Sequence, residues 1–120
     1  MADFEIFELG NPVLQSGATL RGAKLAYKTY GTLNRAKDNA IVLPTFFGGQ
    51  HTANEGIIGE GQALDPSKYF IVAPNMLGNG LSSSPSNTPP PYGQARFPGV
   101  TVHDNVMLQH RLMTEKLGVE

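Results

Sequence analysis

Two continuous apolar runs decide what this chain can fold into. The first lies in Asn39–Gln50, where Ala40, Ile41, Val42 and Leu43 lead through Pro44-Thr45 into Phe46-Phe47 and stop at Gly48-Gly49. The second is Tyr69–Pro74, YFIVAP. Runs without polar alternation suit strands covered on both faces, the usual state of a parallel sheet. The stretch between them is long enough for the crossover a parallel pair requires, and such crossovers are right-handed. Gly48-Gly49 let the chain turn sharply just past the first strand's carboxyl end, the edge where ligands bind in open α/β sheets. Phe46, Phe47, Gly48 and Gly49 are therefore a candidate site wall whose other parts are expected outside this chain. Main-chain N–H groups in such a turn can stabilise an oxyanion whatever side chain they carry. The aromatic pair also reads as plain core. His51 reads either as a polar neighbour of the site or as a solvated loop histidine.

The remaining elements follow from the same patterning. Phe4–Leu9 is a predicted strand, with Phe4 and Ile6 on one face and Phe7 and Leu9 on the other. Gly10-Asn11-Pro12 ends it, and Gln15-Ser16-Gly17-Ala18 is a turn. Lys24–Tyr30, carrying β-favouring Tyr27, Thr29 and Tyr30, is the next strand. Both are short and partly polar, which places them at an antiparallel sheet edge. Between the apolar runs, Gly56, Gly59 and Gly61 allow at most a broken helical segment, ended by Asp65-Pro66. Val102–Leu117 reads as a helix, with Thr101 and Asp104 as a capping pair and Gly118 just past its end. Leu112, Val102, Met113, Val106 and Leu117 share one arc of its wheel. Gln109 projects from the middle of that arc, where a buried amide needs a partner.

At 120 residues with a formal charge of −1, the chain is a single unit with no electrostatic case for nucleic acid or anionic membrane. It has no cysteine, which excludes disulfides and thiolate metal sites. His51, His103 and His110 have no metal-ligand spacing. Residues 1–9 lack the pattern of a signal peptide and no run is of membrane-spanning length, so a cytoplasmic setting is the expectation.

Two further motifs have ordinary explanations. Gly78-Asn79-Gly80 after a strand begins like a dinucleotide fingerprint, but Ser83 stands where its third glycine belongs and a proline-rich loop follows; a tight turn explains it better. Pro89-Pro90-Pro91-Tyr92 fits a polyproline ligand for WW-type domains, which offers a non-catalytic interaction module as an alternative role.

The ordered set Leu25–Asn34 (LAYKTYGTLN), Ile58–Asp65 (IGEGQALD), Tyr69–Val72, Asn75–Gly78, Phe97–Thr101 and Asp104 resembles the amino-terminal part of an α/β-hydrolase, and more narrowly the homoserine O-acetyltransferase family. The resemblance implies a mostly parallel sheet with antiparallel edge strands and flanking helices, of which residues 1–120 are the amino-terminal segment. It implies acyl transfer or ester hydrolysis through an acyl-serine intermediate, with small-molecule acyl donor and acceptor as partners. No cofactor or metal is implied, acyl-CoA enters only as a co-substrate, and a homodimer stays open. That family's oxyanion loop usually reads His-Ala-Leu-Thr-Gly. The matching positions here are Thr45-Phe46-Phe47-Gly48-Gly49, which makes the Phe47 N–H the implied donor and leaves an ester or amide hydrolase as an alternative to homoserine acylation. The family's nucleophile elbow, Gly-x-Ser-x-Gly, is expected on the strand after the last helix. No such motif occurs in the chain. Ser82–Ser84, Ser86, His103 and His110 are accordingly not expected to belong to a triad.

Overall fold

The computed structural model describes residues 4–45, 50–78, 80–88, 93, 95 and 97–119. Four strands form one mixed sheet in the order β1-β2-β4-β3. β1 (Glu5–Gly10) runs antiparallel to β2 (Ala23–Tyr30), Glu5 facing Tyr27. β2 is antiparallel to β4 (Phe70–Pro74), Tyr27 facing Pro74. β3 (Ala40–Val42) lies parallel to β4, with Ala40 opposite Phe70. The two apolar runs are thus the parallel pair, and the early polar strands form the antiparallel side.

The two parallel strands differ in cover. All of β4 is buried, as an uninterrupted apolar run requires. β3 departs from the expectation of cover on both faces: it is the outermost strand and Val42 stays 40% exposed. Its backbone still tracks β4 beyond the ladder. The N–H of Leu43 donates to the Val72 carbonyl (2.8 Å), and that of Thr45 to the Pro74 carbonyl (3.3 Å). A short 3-10 segment, His51–Ile57, stands in the crossover where an α-helix would be usual. The glycines that follow break it, and Gly61 sits at φ +82°. Asp65 then closes the turn into β4. Its carboxylate accepts from the Gly61 N–H (3.0 Å) and from both the N–H and the hydroxyl of Ser67 (2.9 and 2.7 Å). Those donors hold its carboxyl below the usual carboxylate range.

Helix α1 (Val102–Arg111) continues as a π-helical turn over Leu112–Lys116 and ends at Gly118 with φ +71°. Its start is the expected capping box: Thr101 Oγ1 accepts from the Asp104 N–H (3.1 Å), and Asp104 Oδ2 accepts from the Thr101 N–H (2.9 Å). The buried arc is rotated from the expected one. Leu112 and Met113 do point inward, but Val102 and Val106 are exposed, and Asp104, Asn105 and Gln109 take their place. Each of these polar residues meets a loop. Asp104 Oδ1 accepts from the Gln15 N–H (2.7 Å), Asn105 Oδ1 from the Leu77 N–H (2.7 Å), and Gln109 Nε2 contacts Met76 Sδ (3.3 Å). The helix therefore docks by hydrogen bonds at its amino-terminal end and by Leu108, Leu112 and Met113 further on. Those three join Leu25, Tyr27 and Val72 of the sheet in the main core. Burying each such side chain is worth about 1.5–3 kcal/mol.

Candidate active site

The site expected at the carboxyl edge of the parallel pair is framed by residues flanking the segment 46–49. Phe46, Phe47, Gly48 and Gly49 themselves, and Pro89–Tyr92, lie outside the described residues. The frame is built from β4's end outward. Asn75, fully buried, follows Pro74 directly. Its N–H donates to the Ala26 carbonyl (2.7 Å), which extends the β2–β4 pairing by one residue. Its side chain turns to His51. Oδ1 accepts from the His51 N–H (2.9 Å), and Nδ2 lies 3.0 Å from His51 Nδ1. The solvated reading of His51 is thereby corrected. The ring is 1% exposed, with Phe4 edge-on at 5.9 Å between centroids. The physical reason is a polar partner supplied by a different strand end, which lets an imidazole be buried without cost to its hydrogen bonding.

Thr45, at the other flank, is buried as well, and its Oγ1 accepts from the Met76 N–H (3.0 Å). The 3-10 segment is tied down at its far end by Glu55, whose Oε2 accepts from Lys28 Nζ (2.9 Å) and Tyr30 Oη (2.6 Å) on β2. Lys28 Nζ also sits 5.1 Å from the centre of the Tyr30 ring. The sequence reading named His51 as a possible polar neighbour and Thr45 as the first position of the loop, but it gave Asn75 no role in the frame, because a strand-end asparagine looks ordinary. The available signal was Asn75, a polar side chain placed immediately after a buried run, where it must find partners.

The serines after β4 have structural work. Past the end of β4, the inward-facing backbone of β2 needs partners that no strand supplies. Ser82 Oγ accepts from the Ala26 N–H (2.8 Å) and donates to the Asn75 carbonyl (2.7 Å). Ser83 Oγ accepts from the Lys24 N–H (2.8 Å), and the Ser83 N–H donates to the Lys24 carbonyl (2.9 Å). Ser84 Oγ donates to the Ser82 carbonyl and accepts from the Gly80 N–H (2.7 and 2.8 Å). Gly78 and Gly80 make the turn that brings this run back, at φ +93° and +99°. A tight turn is thus what these glycines form. His103 and His110 lie exposed on the outer face of α1. Among the described residues there is no nucleophile–base pair in these contacts. Among the described residues no cluster of His, Asp or Glu is arranged to hold a metal ion, and no helix is long and apolar enough to cross a membrane.

A mixed sheet in this order, with an antiparallel pair at one side, a parallel pair at the other and a helix packed on it, is an α/β-hydrolase architecture. No family profile matches the chain. An ethyl acetate hydrolase from Pseudomonas veronii is 46% identical over 118 residues, covering 98% of this chain and 34% of that protein. A homoserine O-acetyltransferase from Thermobifida fusca is 41% identical over 126 aligned positions, covering 90% of this chain and 33% of that protein. The crystal structure of an acetylester hydrolase from Corynebacterium glutamicum superimposes with a TM-score of 0.92 at 43% identity, covering 96% of this chain and 34% of that one. The chain is therefore a homologue of the amino-terminal segment of esterases and homoserine O-acetyltransferases of the α/β-hydrolase superfamily. It spans about a third of the length of the relatives it matches.

Proposed function

We propose that the polypeptide containing this segment hydrolyses short acyl esters through an acyl-serine intermediate. The observation that carries the reading is the 46% identity, along nearly the whole chain, to an ethyl acetate hydrolase. The loop sequence supports it. Where the homoserine O-acetyltransferase family usually reads His-Ala-Leu-Thr-Gly, this chain has Thr45-Phe46-Phe47-Gly48-Gly49. In this mechanism a serine Oγ attacks the ester carbonyl while a base takes its proton, and the Phe47 N–H receives the developing oxyanion. Collapse expels the alcohol, and water then releases the acid from the acyl-serine. A donor of this kind contributes about 3–4 kcal/mol of transition-state stabilisation. Phe46, Gly48 and Gly49 are the proposed substrate-binding residues of the same loop. We place the nucleophile, base and orienting acid outside these residues; Ser82 and Ser83 are engaged in holding β2, and Ser84 in bonds to Ser82 and Gly80.

Acyl transfer is the second reading, favoured by the 41% identity to a homoserine O-acetyltransferase. The partners are then a small acyl donor, with acyl-CoA as the natural candidate, and a small hydroxyl acceptor. The polypeptide encoded through and beyond Glu120 decides between them. It is expected to release p-nitrophenol from p-nitrophenyl acetate, to be inactivated by a serine-directed phosphonate, and to move no acetyl group from acetyl-CoA to homoserine. Transfer exceeding hydrolysis selects the second reading, and absence of both phosphonate labelling and turnover refutes acyl chemistry.

A further inference from the structure

The segment 46–49 is entered through Thr45 and left through Gln50 and His51. Both flanks are bonded to the three residues Pro74, Asn75 and Met76 at the end of β4. On the entry side these are the Thr45 N–H to the Pro74 carbonyl and the Met76 N–H to Thr45 Oγ1. On the exit side both bonds come from the Asn75 amide.

The atom roles in that amide can be deduced. A backbone N–H only donates, so the Asn75 atom that meets the His51 N–H is the carbonyl oxygen, and the atom facing the imidazole is the NH2. His51 Nδ1 therefore accepts, and the ring carries its proton on Nε2. The second hydrogen of the same NH2 is aimed at the Ala26 carbonyl (3.1 Å). Ala26 belongs to β2, an interior strand, so the amide transmits the position of a rigid strand to the exit of the loop. Ser82 holds the Asn75 carbonyl from behind.

We infer that Asn75 is a positioning residue for the acyl chemistry, tying the His51 flank of the loop that carries the implied oxyanion donor to β2 and the end of β4. The inference rests on the acyl-transfer reading above. Aspartate cannot replace asparagine in this role. It keeps an acceptor for the His51 N–H, but it sets a second oxygen against both Nδ1 and the Ala26 carbonyl.

In the complete polypeptide, Asn75→Ala is expected to lower kcat for p-nitrophenyl acetate about 100-fold, the scale of an ångström's misplacement at a reacting centre. KM should stay within about threefold, and affinity for a boronate analogue of the tetrahedral intermediate should fall in parallel with kcat. Nitrogen-15 spectra of the His51 ring supply a readout independent of activity. They are expected to show the Nε2–H form in the wild type and the Nδ1–H form in Asn75→Asp. Should Asn75→Ala fail to fold, the wild-type spectrum still tests the clamp, because an Nδ1–H ring there overturns it. Active wild type with an undiminished Asn75→Ala kcat, or a loss confined to KM, overturns the positioning role and leaves ester hydrolysis standing. Absence of turnover in the wild type overturns ester hydrolysis, and the positioning role falls with it.

Discussion

Removing one hydroxyl, in Ser82→Ala, is expected to destabilise the fold by about 2–6 kcal/mol, although alanine fits the space. The estimate follows from what the hydroxyl satisfies. Ser82 is fully buried, and its Oγ is both the acceptor for the Ala26 N–H and the donor to the Asn75 carbonyl. A methyl group answers neither, and each buried group left without a partner costs about 1–3 kcal/mol. Ser86, exposed in the same loop, is the internal control. Ser86→Ala should stay within about 0.5 kcal/mol of wild type, as surface substitutions do. Urea unfolding followed by circular dichroism measures both, and an unchanged m-value confirms that the native and denatured states are being compared like for like. A Ser82→Ala loss no larger than that of Ser86→Ala would refute the claim that these serines stand in for a missing strand. In the complete polypeptide the same variant separates structure from chemistry: folded Ser82→Ala protein should still be labelled by a phosphonate, because the nucleophile lies elsewhere.

Thr101→Ala removes the side-chain cap of α1 and should cost about 1 kcal/mol in a thermal or urea melt. At Asp104, burial favours the neutral acid, but the N–H groups of Thr101 and Gln15 together with the Thr101 hydroxyl outweigh it and hold the carboxyl below its usual range. A depressed native pKa contributes stability that is present above the ordinary aspartate range and is lost as pH falls through the native value. Asp104→Asn should therefore flatten the acid limb of a stability–pH curve, and an unchanged limb counts against the assignment. Gly31→Ala should cost at least about 2 kcal/mol by melting temperature, because Gly31 sits at φ +83° and an added Cβ would collide with the Tyr69 and Pro66 carbonyls. The isolated 120-residue chain should show no p-nitrophenyl acetate turnover and should self-associate in light scattering through the β3 edge. A monodisperse monomer that melts cooperatively would contradict the second half of that statement.

What could be read from the sequence, and what could not, divides along one physical line. The parallel pair, the antiparallel pair, the cap at Thr101 and the terminator at Gly118 are local or periodic signals. Apolar runs, turn residues and cap residues carry them without knowledge of neighbours. The rotated face of α1 shows where such reasoning stops. A wheel scored on apolarity puts Val102 and Val106 inside, yet that end of the helix meets the loops at Gln15 and Leu77, whose backbone N–H groups need acceptors. Asp104 and Asn105 supply them, and the valines turn outward. The half-covered β3 has the same kind of cause, since whether an apolar strand is covered depends on what lies beside it. Ser82, Ser83, Asn75 and His51 follow the rule that governs α1. Where a strand ends and a loop takes over, backbone groups remain to be satisfied, and polar side chains from distant positions do it. Among the described residues no buried side-chain nitrogen or oxygen lacks a partner. The frame around the segment 46–49 is thus set by hydrogen bonds that converge on the end of β4. A substitution there should therefore disturb the chemistry through geometry well before it unfolds the sheet.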